Sequence, residues 1–132
     1  MAIERVLILA LVASCLISMS TAIPGQATFY TTYVLLMITA SSCYGFQDQG
    51  TMIAAASPAI FNNRAACGRR YRIRCTGRTN LGVLQPCRNG EITVRVVDLC
   101  PGCQDNQFDL SQEAFSMIAD PNAGRILIEY NE

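Results

Sequence analysis

Apolar and polar positions along this 132-residue chain fall into short runs whose period changes several times. The first run, Val6 to Ile17, is wholly apolar or small and follows Glu4 and Arg5. At about 12 residues it is too short to cross a bilayer comfortably. It ends in Ser18-Met19-Ser20-Thr21-Ala22, with small residues Ser20 and Ala22 where a signal-peptide cleavage site needs them. The pattern predicts a removable leader over residues 1–22 and a mature domain over residues 23–132. That length suits one domain with its own core.

The mature chain reads mostly as strands. Gly25 to Tyr30 alternates, with Ala27 and Phe29 on one face and Thr28 and Tyr30 on the other. Tyr33 to Ala40 is a second apolar run, far short of a membrane span. It is a buried strand, an extended loop or a local irregularity. Thr51 to Ala56 predicts a short buried strand. Ser57-Pro58 supplies an N-cap and a first-turn proline for a helical turn reaching Asn62. Arg70 to Cys75 alternates apolar Tyr71, Ile73 and Cys75 with arginines, and Thr76 to Gly90 reads as a loop. Glu91 to Leu99 alternates again, with Ile92, Val94 and Val96 on one face. Ser111 caps a predicted helix over Gln112–Ala119, whose stripe is Ala114, Phe115, Ile118 and Ala119. Asp120-Pro121 stops it, and Arg125 to Tyr130 predicts a closing strand. Short strands, long loops and one late helix suggest a compact, mostly β domain, a small barrel.

Cysteine usage places this domain. Cys15 lies in the leader, and Cys43, Cys67, Cys75, Cys87, Cys100 and Cys103 follow it. An even set behind an export signal reads as a disulfide framework of an extracellular protein. Zinc binding by free thiolates is then not expected. The chain has no His, which excludes Ser-His-Asp or Cys-His catalysis and His-ligated metal, and no Lys, which excludes a Schiff base. No cofactor and no metal are expected. Cys100-x-x-Cys103 could be a redox pair, but Pro-Gly lies between the cysteines and the helix starts later, which favours a structural disulfide.

Charge balances at zero but is uneven. Arg64, Arg69, Arg70, Arg72, Arg74, Arg78 and Arg88 lie in a stretch without acids, whereas eight acids and two arginines follow from Glu91 onward. Such a stretch could meet an anionic partner, a pectic polymer or a membrane surface. The plainer reading is a solvated strand face paired with the acidic half. No aromatic interleaving points to nucleic acid, which is not an expected partner.

Two acids stand out, Asp98 at a strand end and Asp109 just before the helix cap. Paired carboxyls are the minimum for glycoside hydrolysis. Equally, each could simply bond loop or helix-start amides. The aromatics Phe29, Tyr30, Tyr33, Tyr44 and Phe46 could stack on sugars, but rings of this kind more often fill core.

Val97-Asp98-Leu99-Cys100-Pro101, Gln107 to Phe115 and Ala123 to Tyr130, with Gly25-x-Ala27-Thr28-x-Tyr30, Ala65-Ala66-Cys67-Gly68 and Tyr71 to Gly77, together resemble the first domain of expansins. More narrowly, the chain is similar to single-domain plant natriuretic peptides, or endoglucanase-45-like domain proteins, including the blight-associated type. The resemblance implies a six-stranded double-psi β-barrel with short helices, stapled by disulfides. It implies a secreted, apoplastic protein without enzymatic activity and with no catalytic residues, acting in water and solute (ion) homeostasis signalling. The alternative is cell-wall polysaccharide binding, or weak glycan cleavage with Asp109 as acid and Asp98 as its partner.

In either case the implied groove positions are Thr28, Asp98 and Asp109. The implied pairing is Cys43–Cys67 and Cys75–Cys87, leaving Cys100–Cys103. The implied partner is a cell-surface receptor or a wall polysaccharide. A monomer with no membrane span in the mature chain is expected. Three departures matter: Gln107 stands where expansins carry a groove His, Cys100 replaces an aromatic, and no second expansin domain follows within the chain. The Leu35–Thr39 stretch looks like extra sequence relative to such proteins.

Overall fold

The structure is a computed structural model that describes residues 21–31, 40–79 and 82–132. The expected leader up to Ser20 and the Leu35–Thr39 stretch lie outside the described residues. Six strands form: β1 Ile23–Tyr30, β2 Ile53–Ala56, β3 Arg70–Arg78, β4 Ile92–Leu99, β5 Gln107–Ser111 and β6 Arg125–Asn131. They close into a barrel in the order β1-β5-β2-β4-β3-β6. Two contacts are parallel, β1 with β5 and β2 with β4, and the others are antiparallel. This is the double-psi β-barrel.

Alternation explains which residues fill it. Ala27, Ala54, Ala56, Ile73, Val94, Val96, Phe108, Leu110, Ile126 and Ile128 are fully or almost fully buried. Phe108 sits among two tyrosine rings, 5.1 Å from Tyr71 and 5.0 Å from Tyr130 between centroids. Helix α1, Pro58–Phe61, is capped by Ser57, whose Oγ accepts from the Ile60 amide and donates to the Asp105 carbonyl. Helix α2, Gln112–Ile118, starts at the Ser111 cap and turns Ala114, Phe115 and Ile118 into the core. Phe115 meets Phe29 at 4.8 Å, so the helix plugs the barrel beside β1.

Three local expectations change. Sequence reading placed no strand between Leu99 and the Ser111 cap, yet Gln107–Ser111 is one. Five residues are too few for a convincing period by themselves; pairing with β1 on one side and β2 on the other makes the strand. Strand β3 runs on through Thr76, Gly77 and Arg78, where a loop was expected. β6 continues to pair with it past a register shift between Cys75 and Gly77. Helix α2 stops at Ile118, because Ala119 turns extended and bridges to Cys87.

The disulfides are Cys43–Cys67, Cys75–Cys87 and Cys100–Cys103. Gly25 has a special role in the barrel wall. A Cβ there would lie 2.2 Å from the Asn106 carbonyl oxygen, the same oxygen that accepts the Gln26 amide at 3.0 Å. Only glycine lets β1 approach the entrance of β5 so closely. Among the described residues no helix is long and apolar enough to cross a membrane.

Candidate functional site

Register brings one outward residue from each of five strands into a transverse row. Arg125 of β6 lies opposite Thr28 of β1, and Thr28 lies opposite Asp109 of β5. Asp109 lies opposite Ala55 of β2, which in turn lies opposite Asp98 of β4. The neighbours Ala27, Ala54, Ala56, Phe108 and Leu110 belong to the core, so the row faces out. Asp98 and Asp109 are thus two strand spacings apart, about 10 Å between Cα atoms. In the ladder Ala55, 7% exposed, lies between them. The two-strand spacing is a separation of Cα atoms; glycoside chemistry is set by the distance between the carboxyl groups themselves.

Asp109 is half-buried and held from one side. Thr28 Oγ1 donates to its Oδ1 at 2.9 Å, and Gln107 Nε2 donates to Thr28 Oγ1 at 3.0 Å. Gln107 is only 4% exposed, and its Oε1 accepts the Gln104 amide at 2.9 Å. The backbone donor therefore fixes which end of the Gln107 amide faces Thr28. The Thr28 hydroxyl, already accepting one hydrogen, must point its own at Asp109. Arg125 Nη1 donates to Gln26 Oε1 at 2.7 Å and reaches Gln107 Oε1 at 3.5 Å, closing the back of this network.

Burial raises the Asp109 carboxyl above its ordinary value; the Thr28 hydrogen bond and the positive charge of Arg125 pull the other way without cancelling it. Folding therefore favours the neutral form of Asp109 more than the unfolded chain does. This contribution to stability is fully present below the ordinary carboxyl value and is lost as pH rises through the raised one. Asp109→Asn removes the titration. Urea unfolding of the two proteins across the acid range should show the variant gaining on the parent as pH rises. A difference that does not vary with pH would contradict this.

Asp98 is fastened differently. Its Oδ1 accepts from the Ser42 amide at 2.9 Å, the Ser42 hydroxyl at 2.8 Å and the Leu99 amide at 2.9 Å. It thereby ties the 41–45 turn to the end of β4, and the Cys43 amide adds a bond to the Val97 carbonyl at 3.0 Å. Arg64 Nη1 donates to the Ser42 carbonyl at 2.5 Å from a segment with three successive positive φ angles, Asn62 at 45°, Asn63 at 56° and Arg64 at 76°. Asn accepts this backbone readily, whereas an arginine there is unusual. The Cys43–Cys67 bond ties the two segments together covalently.

Tyr30 completes the wall. Burial, then the nearby charges of Asp109, Asp98 and Glu113, push its hydroxyl up to about 12. Tyr33 of the N-terminal aromatic set lies outside the described residues; among the described rings of that set, Tyr30 is the one whose hydroxyl feels the charge of both acids. Phe29 turns inward to the core, and Phe46 is 73% exposed. Thr28, Asp98 and Asp109 thus share one surface, with Thr28 and Asp109 in direct contact and Asp98 across Ala55. Sequence reading missed Ala55, Ser42 and Arg125. Alternation marked Tyr30 as sharing the Thr28 face, a signal that could have singled it out. Among the described residues no group of three or more His, Cys, Asp or Glu could hold a metal ion.

The closed double-psi β-barrel is a fold that this chain shares with expansins. A family model described as lytic transglycolase matches residues 53–130. An EG45-like domain containing protein of Citrus jambhiri is 53% identical over 97% of this chain and 95% of its own length. A putative EG45-like domain containing protein of Arabidopsis thaliana is 43% identical over 87% of each. Among solved structures, the expansin of Clavibacter michiganensis superposes with a TM-score of 0.66 at 30% identity, covering 84% of this chain and 50% of that one. A mutant of that expansin, solved in complex with cellohexaose, gives 0.65 at 29% identity with the same coverage. The chain belongs to the EG45-like domain containing family and is expansin-like.

Proposed function

We propose that this is a secreted, expansin-like wall protein that holds a β-glucan chain across the Asp109–Ala55–Asp98 row without hydrolysing it. Residues 1–22 would be removed on export, leaving residues 23–132 as the working domain. The observation that carries the reading is the five-strand row itself. It sets hydrogen-bonding groups on both sides of Ala55, which is itself 7% exposed. The cellohexaose complex of the Clavibacter expansin supports a glucan as the occupant.

Two features argue against turnover. Gln107 carries no titratable proton where expansins carry a His, and Asp98 Oδ1 is already committed to three donors. Thr28, Asp109 and Tyr30 would then orient the sugar hydroxyls.

The test is calorimetric titration with cellohexaose, paired with a reducing-end assay on soluble β-glucan. Binding is expected, with release of reducing ends at background. Ala55→Leu, which adds bulk between the two acids while leaving both in place, should abolish binding. A wild-type protein that does not bind would overturn the reading. Release that disappears in Asp109→Asn would overturn its non-catalytic half.

At the level of the plant, we propose a role in water and solute homeostasis. The full-length match to EG45-like proteins supports this, set against coverage of only half of the expansin. Purified folded protein should alter cell water or ion flux; the absence of any response would refute that role.

A further inference from the structure

The arginine-rich stretch is not absorbed by the groove. In barrel order β3 lies diametrically across from β5, the strand that carries Asp109. Its outward residues Arg70, Arg72 and Arg74 are all exposed. At one end of the row Arg74 is bound to Glu129 at 2.5 Å, and at the other Arg69 is 3.6 Å from Glu132. Between these pairs, the partner of Arg70 across the ladder is Arg95 of β4. Arg72 lies between Thr93 of β4 and Asn131 of β6. Among the described residues no carboxylate lies within ion-pair distance of Arg70, Arg72 or Arg95. Arg95 makes its side-chain hydrogen bond to the neutral Gln49, at 3.1 Å.

Like charges directly opposite on a ladder are destabilising. Here two guanidinium groups face each other on a surface where acids were available to pair with their neighbours. We propose that Arg70, Arg72 and Arg95 form a docking face for an acidic polysaccharide, a polyuronate with carboxylates on successive sugars. Cα atoms on this face lie about 5 Å apart across the ladder and about 7 Å along β3, so one extended polymer can meet all three side chains.

The planar guanidinium fork matches a carboxylate two bonds at a time. The flanking Thr93 and Asn131 are polar, and Tyr71 and Ile73 point inward. The face therefore offers no ring for a base to stack on and no apolar wedge for a bilayer. This proposal does not depend on the glucan reading: β3 contributes nothing to that row, and Arg95, although it shares β4 with Asp98, lies three residues before it.

The experiment uses the intact mature protein with its disulfides formed. Binding is measured to polygalacturonate, to the same polymer fully methyl-esterified, and to vesicles containing phosphatidylserine. Polygalacturonate should bind, more weakly as salt rises, and the esterified polymer should not. Arg70→Gln with Arg72→Gln should weaken polygalacturonate binding by about tenfold, the scale of two effective exposed ion pairs. Its cellohexaose binding should stay at the wild-type value, and its unfolding midpoint should not fall, since a like-charge ladder pair has been removed. Ala55→Leu should retain polygalacturonate binding.

Three results would overturn the proposal. One is equal binding to both polymers. Another is wild-type polygalacturonate affinity in the double variant. The third is binding to the vesicles with none to polygalacturonate.

Discussion

Phe108→Ala is expected to remove about 4 kcal/mol of unfolding free energy, the largest loss from any single substitution proposed for this protein. Phe108 is completely buried, and its ring fills the space between Tyr71 and Tyr130. Deleting it forfeits transfer free energy and leaves a cavity between two rings tethered to different strands. The Tyr130 hydroxyl is fixed to Asn106 Oδ1 at 3.2 Å, so that ring cannot simply swing inward to fill the gap. A domain of this size has about 5–15 kcal/mol in all, so the variant would be marginal. Urea unfolding with disulfides intact measures the loss. A cost under about 1.5 kcal/mol would mean the barrel collapses around the site, contrary to the packing described. Phe108 also precedes Asp109, so the same variant should weaken cellohexaose binding in its folded fraction.

Removing the Cys43–Cys67 bond is expected to cost about 3.5 kcal/mol on chain-entropy grounds. The bond spans 24 residues, against 12 for Cys75–Cys87 and 3 for Cys100–Cys103. The paired serine variants should therefore rank in that order, with the Cys100–Cys103 variant losing about 2 kcal/mol. A reversed order in denaturant unfolding would refute an unfolded-state origin. The first bond has a second consequence. It holds the 41–45 turn, whose Ser42 supplies two of the three donors on Asp98 Oδ1. The Cys43→Ser, Cys67→Ser variant should therefore lose glucan affinity as well as stability, whereas the Cys100 and Cys103 variant should lose less of both.

Both arguments bear on how far the amino-acid sequence could be read. Capping was legible because it is local: Ser57 with Pro58, and Ser111 before Gln112, satisfy helix-start amides within three residues. Alternation over Arg70–Cys75 and Glu91–Leu99 was legible because one face of each strand meets the core. Strand β5 was not, since its five residues show both faces partly covered. Its state is decided by β1 and β2, which precede it by about 80 and about 55 residues in the chain. Arg70 and Arg72 were visible as a basic stretch. That some of its members would be neutralised and others left facing Arg95 was a matter of which strands β3 joins.

The sequence by itself determined the chemical inventory. The chain has no His or Lys side chain for catalysis, six cysteines after its apolar N-terminal run, two acids beside apolar strand residues, and caps that start two helices. It also determined inward and outward faces, because a period of two is written residue by residue. Tertiary structure alone decided what those faces oppose. Register across four strand contacts aligned Arg125, Thr28, Asp109, Ala55 and Asp98. Barrel closure then put the arginines of β3 across from β5, the strand of Asp109. The physical reason is that a strand's hydrogen bonds specify a neighbour and a register only once the core has selected which strands meet.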